Sequence, residues 1–381
     1  MTPSQQPHWP HTRRLTELDG LRGLAALFVF TSHLKFALPG RNPLAALQLT
    51  PLGILWGGQA AVDFFFVLSG FVLALPFMRA APAGALPGFY GRFVLLRVLR
   101  IYPAYWLALL FCLLAMQLFA PAGMAGTSPW AQEFWRHGWG DLSASVLTRH
   151  ILLVPNFDSR LIDPVSWTLV VEMRMSLLLP FMILACRAWG GRIGTPLLLL
   201  LSLALGLRIG ALHFLPLFAF GVALARHWPG KPVPGAANRN PLFWLLLGAA
   251  LVAYGNAYIL DLRRASDYVA GAGAALLILL ALQPTAFGAF LNRAPVQFLG
   301  RVSYSFYLLH LPTFLLLLSW LMPVLHSVTA VFVLAVPLVC LLSWLSFVLV
   351  ERPFMRLSRR TLRAQAPSLP AAAAADRSPQ P

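Results

Sequence analysis

Charge is scarce in this chain of 381 residues: only 11% are Asp, Glu, Lys or Arg, against about a quarter in a soluble globular domain. The shortage falls on the acids, 12 Asp plus Glu against 29 Lys plus Arg, for a formal net charge of +17. Cysteine is scarce as well. Cys112, Cys186 and Cys340 lie far apart inside apolar runs and show no CxxC or related spacing, so neither a zinc site nor a disulfide framework is expected. Long polar stretches are missing too, which leaves the excess positive charge no basic domain with which to bind nucleic acid. The same composition excludes collagen-like and disordered classes. A secretory signal peptide is not expected, because the first apolar run is too long for one, carries Arg22 and His33, and lacks a cleavage site. Arg13-Arg14 reads as a cytoplasmic anchor of the first helix in preference to a twin-arginine signal.

Apolar residues make up 59% of the chain, with 12 Trp and 27 Phe, and the mean hydropathy is +0.72. The expected class is an all-α polytopic membrane protein, because the apolar runs are continuous and not alternating, which selects helices over a barrel. About ten spans are predicted, over 20–38, 54–78, 99–119, 166–186, 194–207, 209–226, 241–260, 269–287, 298–322 and 327–350. The fifth and sixth are separated by little more than Arg208, and reading them as one re-entrant element would invert everything downstream. Most basic residues then fall on one set of flanks, which predicts both termini in the cytoplasm and an even number of spans. The predicted organisation is a cytoplasmic segment 1–15, a membrane domain 16–356 with an outer loop 120–165, and a basic, then disordered tail 357–381. The outer loop, with Trp130, Trp135 and Trp139 beside Glu133, Arg136, His137 and Asp141, reads first as an interfacial aromatic belt and second as an acceptor-binding lid.

Ionisable groups inside spans are expensive and mark candidate function. Arg22 and His33 are eleven residues apart, about three helical turns plus 20°, so they share one face and stand about 16 Å apart along the axis. Counting depth from the helix ends puts His33 and Glu172 at one level, with His310 arriving at a similar level and Asp63 near mid-membrane. A buried carboxylate in such a cluster can orient an imidazole and stabilise its protonated form, as a general base requires. A metal site is the weaker reading, since four different helices contribute and no HxxxH or ExxH spacing occurs. Polar groups that merely lock helices together remain an alternative for His310 and Asp63 taken singly. At the inner face Arg97 and Arg100 are neighbours at i and i+3, suited to phosphate oxygens, and with Arg22 and Arg301 could form a polyphosphate dock. Each taken singly reads as positive-inside charge.

These residues carry a resemblance. The chain resembles the acyltransferase 3 family of integral membrane acyltransferases over about residues 16–356, in LDGLRGLAALFVFTSHL with its Arg-ten-His spacing, VDFFFVLSGF, the RxxR pair of RVLRIYP, SWTLVVEMRMSLLLP, GRVSYSFYLLHLP and the closing VERP. The resemblance implies transfer of an acyl group, commonly acetyl, from cytoplasmic acyl-CoA to a hydroxyl of a glycan or related acceptor, at the bacterial-type inner membrane. It implies His33 as the catalytic histidine, Arg22, Arg97 and Arg100 in the acyl-CoA site, and Glu172 as the acidic residue of the fourth-helix motif. Met175, Ser176 and Leu177 depart from the aromatics that usually follow that acid. Whether His33 acts as general base or as acyl carrier is open at this stage. Tyr304, Tyr307 and Ser69 are candidate oxyanion donors, with core packing the stronger reading for each. A proton-coupled transporter or flippase is the rival function, although no internal repeat supports it.

Overall fold

The computed structural model describes residues 15–39, 50–79, 86–136, 138–228, 240–259, 262 and 264–364. The segment before Leu15, the tail after Ala364, and His137 lie outside the described residues, as do Arg13 and Arg14. All regular structure among the described residues is helical: α1 (Thr16–Ala37), α2 (Gly58–Arg79), α3 (Leu86–Leu118), α4 (Pro129–Gln132), α5 (Ala144–Leu152), α6 (Trp167–Ala188), α7 (Thr195–Arg208), α8 (Leu215–His227), α9 (Pro241–Asn256), α10 (Arg264–Ala281), α11 (Ala286–Leu291), α12 (Ala294–Leu325), α13 (Val328–Ser346) and α14 (Arg352–Ala364).

Eight stretches of the described residues are long and apolar enough to cross a bilayer, and each overlaps one of the predicted spans. The remaining two predicted spans are α1, whose apolar run is diluted by Arg22, His33 and Lys35, and α9, which is apolar but only 16 residues long. The fifth and sixth predicted spans form separate elements, Gly190–Arg208 and Gly210–His227. The outer surface of the bundle is apolar: Leu245 is 69% exposed, Val333 61% and Leu349 69%. In water these side chains would invite aggregation, whereas hydrocarbon accepts them.

Successive spans alternate in direction, so the arginine-bearing ends of α1, α3, α6, α8 and α12 meet on one face, which charge asymmetry predicts to be cytoplasmic. Arg187 at the end of α6, for example, donates to the Phe77 carbonyl at the end of α2. α12 has 32 residues and so runs to about 48 Å, well beyond a hydrocarbon core of about 30 Å. Its first turns, carrying Arg301, project on the basic face.

α1 and α12 run parallel and side by side at the centre. Small residues allow this: a side chain on Gly23 would bring its Cβ to 2.4 Å from the Gly300 nitrogen, and one on Gly300 to 2.3 Å from the Asp19 carbonyl oxygen. α2 and α8 meet in the same way at Gly70 and Gly221.

Candidate active site

The parallel register of α1 and α12 builds two polar regions, one at each end of their contact. At the basic end Arg22 Nε donates to Ser303 Oγ (2.9 Å), and its Nη2 donates to Asp19 (2.8 Å) and to the Gly300 carbonyl (3.3 Å). A cavity of about 560 Å³ opens beside it. Five arginines line this cavity, Arg22, Arg100, Arg301, Arg352 and Arg356, against the single carboxylate of Glu351. Glu351 is 3% exposed and sits on a π-helical turn, Phe347–Glu351, that breaks the regular helix between α13 and α14. It accepts from Arg100 and, at 2.9 Å, from Ser305 Oγ, which is in turn bonded by Ser346. The carboxylate thereby fixes one guanidinium and leaves the cavity strongly positive.

Arg97 does not line that cavity. It donates to Glu172 and, at 3.1 Å, to Ser176, so the RxxR pair is divided between two helices. Sequence reasoning grouped it with Arg22, Arg100 and Arg301; the three others do line the cavity. Arg352 and Arg356 were passed over because residues just beyond a last span read as ordinary positive-inside charge.

At the far end of the α1–α12 contact His33 and His310 meet. Their rings stack with centroids 5.1 Å apart and planes 16° apart. The indole of Trp130 also lies nearly parallel to the His33 ring, at 5.4 Å and 14°. His310 is fully buried, and its Nδ1 is bonded to the Phe306 carbonyl oxygen at 3.2 Å. A carbonyl can only accept, so Nδ1 of a neutral His310 carries the proton and Nε2 the lone pair. That Nε2 and both ring nitrogens of His33 are buried without a protein partner.

The expected carboxylates are elsewhere. Glu172 faces Arg97, and the Tyr307 hydroxyl, a turn further along, is bonded to Thr168 at 3.0 Å. From that contact Glu172 is four residues toward the basic face and His310 three residues away from it. They are thus separated by about 10 Å along the axes. The depth argument failed because it placed the start of α6 at the bilayer surface. The residues leading into α6, Ile162, Asp163, Val165 and Ser166, are themselves buried. Asp63 is bonded to other partners than His33 or His310: it bonds Gln59 (3.4 Å) and Tyr258, and the Tyr258 hydroxyl also bonds Asp267, which pairs with His213 at 2.5 Å. The Tyr304 hydroxyl donates to the Ile101 carbonyl (2.7 Å), with Arg100 over its ring. Tyr304 and Tyr307 thus tie helices together through their hydroxyls.

The outer loop is a folded cap. Trp135 is 3% exposed and donates through its indole nitrogen to the Ile162 carbonyl (2.8 Å); only Trp139 of the three tryptophans is largely exposed. The aromatic-belt expectation is corrected here, because Trp130 and Trp135 turn inward onto the bundle. Within the cap Asp163 is fully buried, with Val165 N–H on Oδ1 at 3.2 Å and no partner for Oδ2. Burial pushes its carboxyl up to about 7, against the lowering effect of the Val165 N–H. Among the described residues no three His, Cys, Asp or Glu side chains converge as metal ligands would.

An arginine-lined cavity joined by one helix to a stacked histidine pair is the arrangement on which family comparison bears. A model of the acyltransferase domain matches residues 15–348. The chain belongs to the acyltransferase 3 family. It is similar to "Protein 2 in picA locus" of Rhizobium radiobacter, 40% identical over 97 residues, 25% of this chain and 42% of that protein. It is also similar to "Acyltransferase MdmB" of Streptomyces mycarofaciens, 34% identical over 124 residues, 32% of this chain and 29% of that protein. "Putative peptidoglycan O-acetyltransferase YrhL" of Bacillus subtilis (strain 168) is 25% identical over 395 residues, 92% of this chain and 57% of that protein. The chain therefore spans less than two thirds of the length of each of these relatives. No solved structure matches.

Proposed function

We propose that this family member is an O-acyltransferase of a bacterial-type plasma membrane. It moves an acyl group, acetyl in the first instance, from acyl-CoA to a hydroxyl of a glycan or related acceptor. One observation carries the reading: a single helix face holds Arg22 in the arginine-lined cavity and His33 in the ring stack. α12 repeats the pattern with Ser303 and His310, seven residues and about two turns apart. The phosphates of the donor dock among Arg22, Arg100 and Arg301, with Arg352 and Arg356 completing the ring. The pantetheine arm extends along the α1 face toward His33. His33 takes the proton from the acceptor hydroxyl as its oxygen bonds to the thioester carbonyl carbon. The carbon–sulfur bond then breaks, and the proton passes to the departing CoA thiolate. The name of the Bacillus relative supports a glycan acceptor of the peptidoglycan class.

The test is the full chain in nanodiscs with labelled acetyl-CoA and a cell-envelope glycan fraction. His33→Ala is expected to lower label transfer by about 100-fold or more while leaving CoA binding intact. Arg301→Ala, at an exposed position in the cavity wall, should weaken CoA binding roughly tenfold without altering the melting temperature. Undiminished transfer by His33→Ala would remove the catalytic assignment.

A further inference from the structure

A histidine that acts as a base must present one nitrogen in a fixed direction. The usual device is a carboxylate or carbonyl bonded to the other nitrogen. His33 has neither: both nitrogens are unpartnered, Glu172 is committed to Arg97 and Asp63 to Tyr258. What holds the ring is contact with its faces. His310 and Trp130 both lie within 16° of parallel to it, with ring centroids 5.1 and 5.4 Å away. Rotation of the imidazole about its own side-chain bond would tilt it out of this parallel packing, and neither ring nitrogen is spent on a protein partner.

Trp130 is registered to the very helix that carries His33. Ser128 donates from its backbone N–H to the Ala37 carbonyl at 3.0 Å and from its hydroxyl to the Phe36 carbonyl at 2.5 Å. Those are carbonyls at the end of α1, which have no partner within the helix. The Ser128 hydroxyl also accepts from Ala131 N–H, capping α4 and setting the direction from which the indole projects. Phe134 packs edge-on against the indole at 4.9 Å, and Phe36 lies 5.6 Å from it. The indole plane is thus fixed independently of His33.

We propose that Trp130 is the positioning residue for His33, its indole face holding the imidazole plane and stabilising the imidazolium formed when the acceptor gives up its proton. The inference rests on the reading of His33 as the base. The electrostatic part follows from the indole quadrupole, whose negative face attracts a cation most strongly where water is excluded. His310 supplies a second parallel ring, with its Nδ1 proton committed to the Phe306 carbonyl.

The experiment uses Trp130→Phe, Trp130→Leu and Trp130→Ala in the full chain in nanodiscs, with acetyl-CoA and the glycan fraction as substrates. Diethyl pyrocarbonate labelling of His33, read by peptide mass spectrometry, reports the ring independently of turnover. The Leu and Ala variants are expected to lose kcat roughly 10- to 100-fold with the KM for acetyl-CoA unchanged, and to label faster at His33. Trp130→Phe, which keeps an aromatic face, should retain most of the rate. A Phe variant as impaired as Leu, or an Ala variant with normal kcat, would overturn the positioning role. So would a loss confined to the KM for the glycan fraction, which would make Trp130 an acceptor-binding surface. His33→Ala run alongside separates the two levels: turnover that survives it defeats the acyltransferase reading of His33 itself.

Discussion

Arg97 and Arg100 stand one helical turn apart and face different partners. Arg97 is 11% exposed and neutralises Glu172 within the bundle, while Arg100 meets Glu351 at the wall of the cavity. The i, i+3 spacing showed that they are neighbours, but which carboxylate each would meet depends on pairings across 75 and 251 residues of chain. No local pattern encodes such distances. Asp163 gives this scale its prediction. Its carboxyl, pushed up to about 7 by burial, keeps its proton in the folded protein where an unfolded carboxyl, near 3.8, has lost it. Stability is therefore full below about pH 4 and falls as pH rises toward 7, by on the order of 4 kcal/mol at 1.36 kcal/mol per unit. Asp163→Asn should flatten the melting temperature across that window and raise it above pH 7. A melting profile identical to that of the parent protein would show that the carboxyl titrates normally.

Helix periodicity made the shared face of Arg22 and His33 legible, because an angle along one helix needs no tertiary knowledge. Depth was less legible, since it requires knowing where each helix begins relative to the bilayer, and α6 begins beneath the cap. The partner of α1 could not be read either. It is set by the close backbone approach at Gly23 and Gly300, where the added Cβ of Gly23 would meet the α12 backbone at 2.4 Å. Gly23→Ala must push two backbones apart, as no flexible side chain can yield. A loss of about 1–3 kcal/mol is expected, measured as a lower melting temperature in detergent. Because α12 also carries His310, the same variant should lose transfer activity beyond its loss of stability; a variant with normal stability and turnover would show that the helices can separate freely.

At the scale of the molecule, continuous apolar runs specified an all-helical membrane bundle, and the scarcity of acids left it a formal net charge of +17. The folded chain concentrates part of that charge further, gathering five arginines around one cavity. CoA binding should accordingly weaken steeply with salt. Between about 0.1 M and 1 M the Debye length falls from about 10 Å to 3 Å, and titration of CoA into nanodiscs should show at least a roughly tenfold rise in Kd over that range. A flat response would mean that the cavity does not meet the donor through its phosphates. α1 itself is clamped at both ends, by Arg22 and Gln297 to α12 and the residues before it, and by Ser128 to the cap. A helix so clamped behaves as a ruler. On the proposed reading it selects donors by the length between their phosphates and their reactive carbon, whatever the acyl group beyond, so one extra residue between Arg22 and His33 would spoil the measure by turning one mark about 100° from the other.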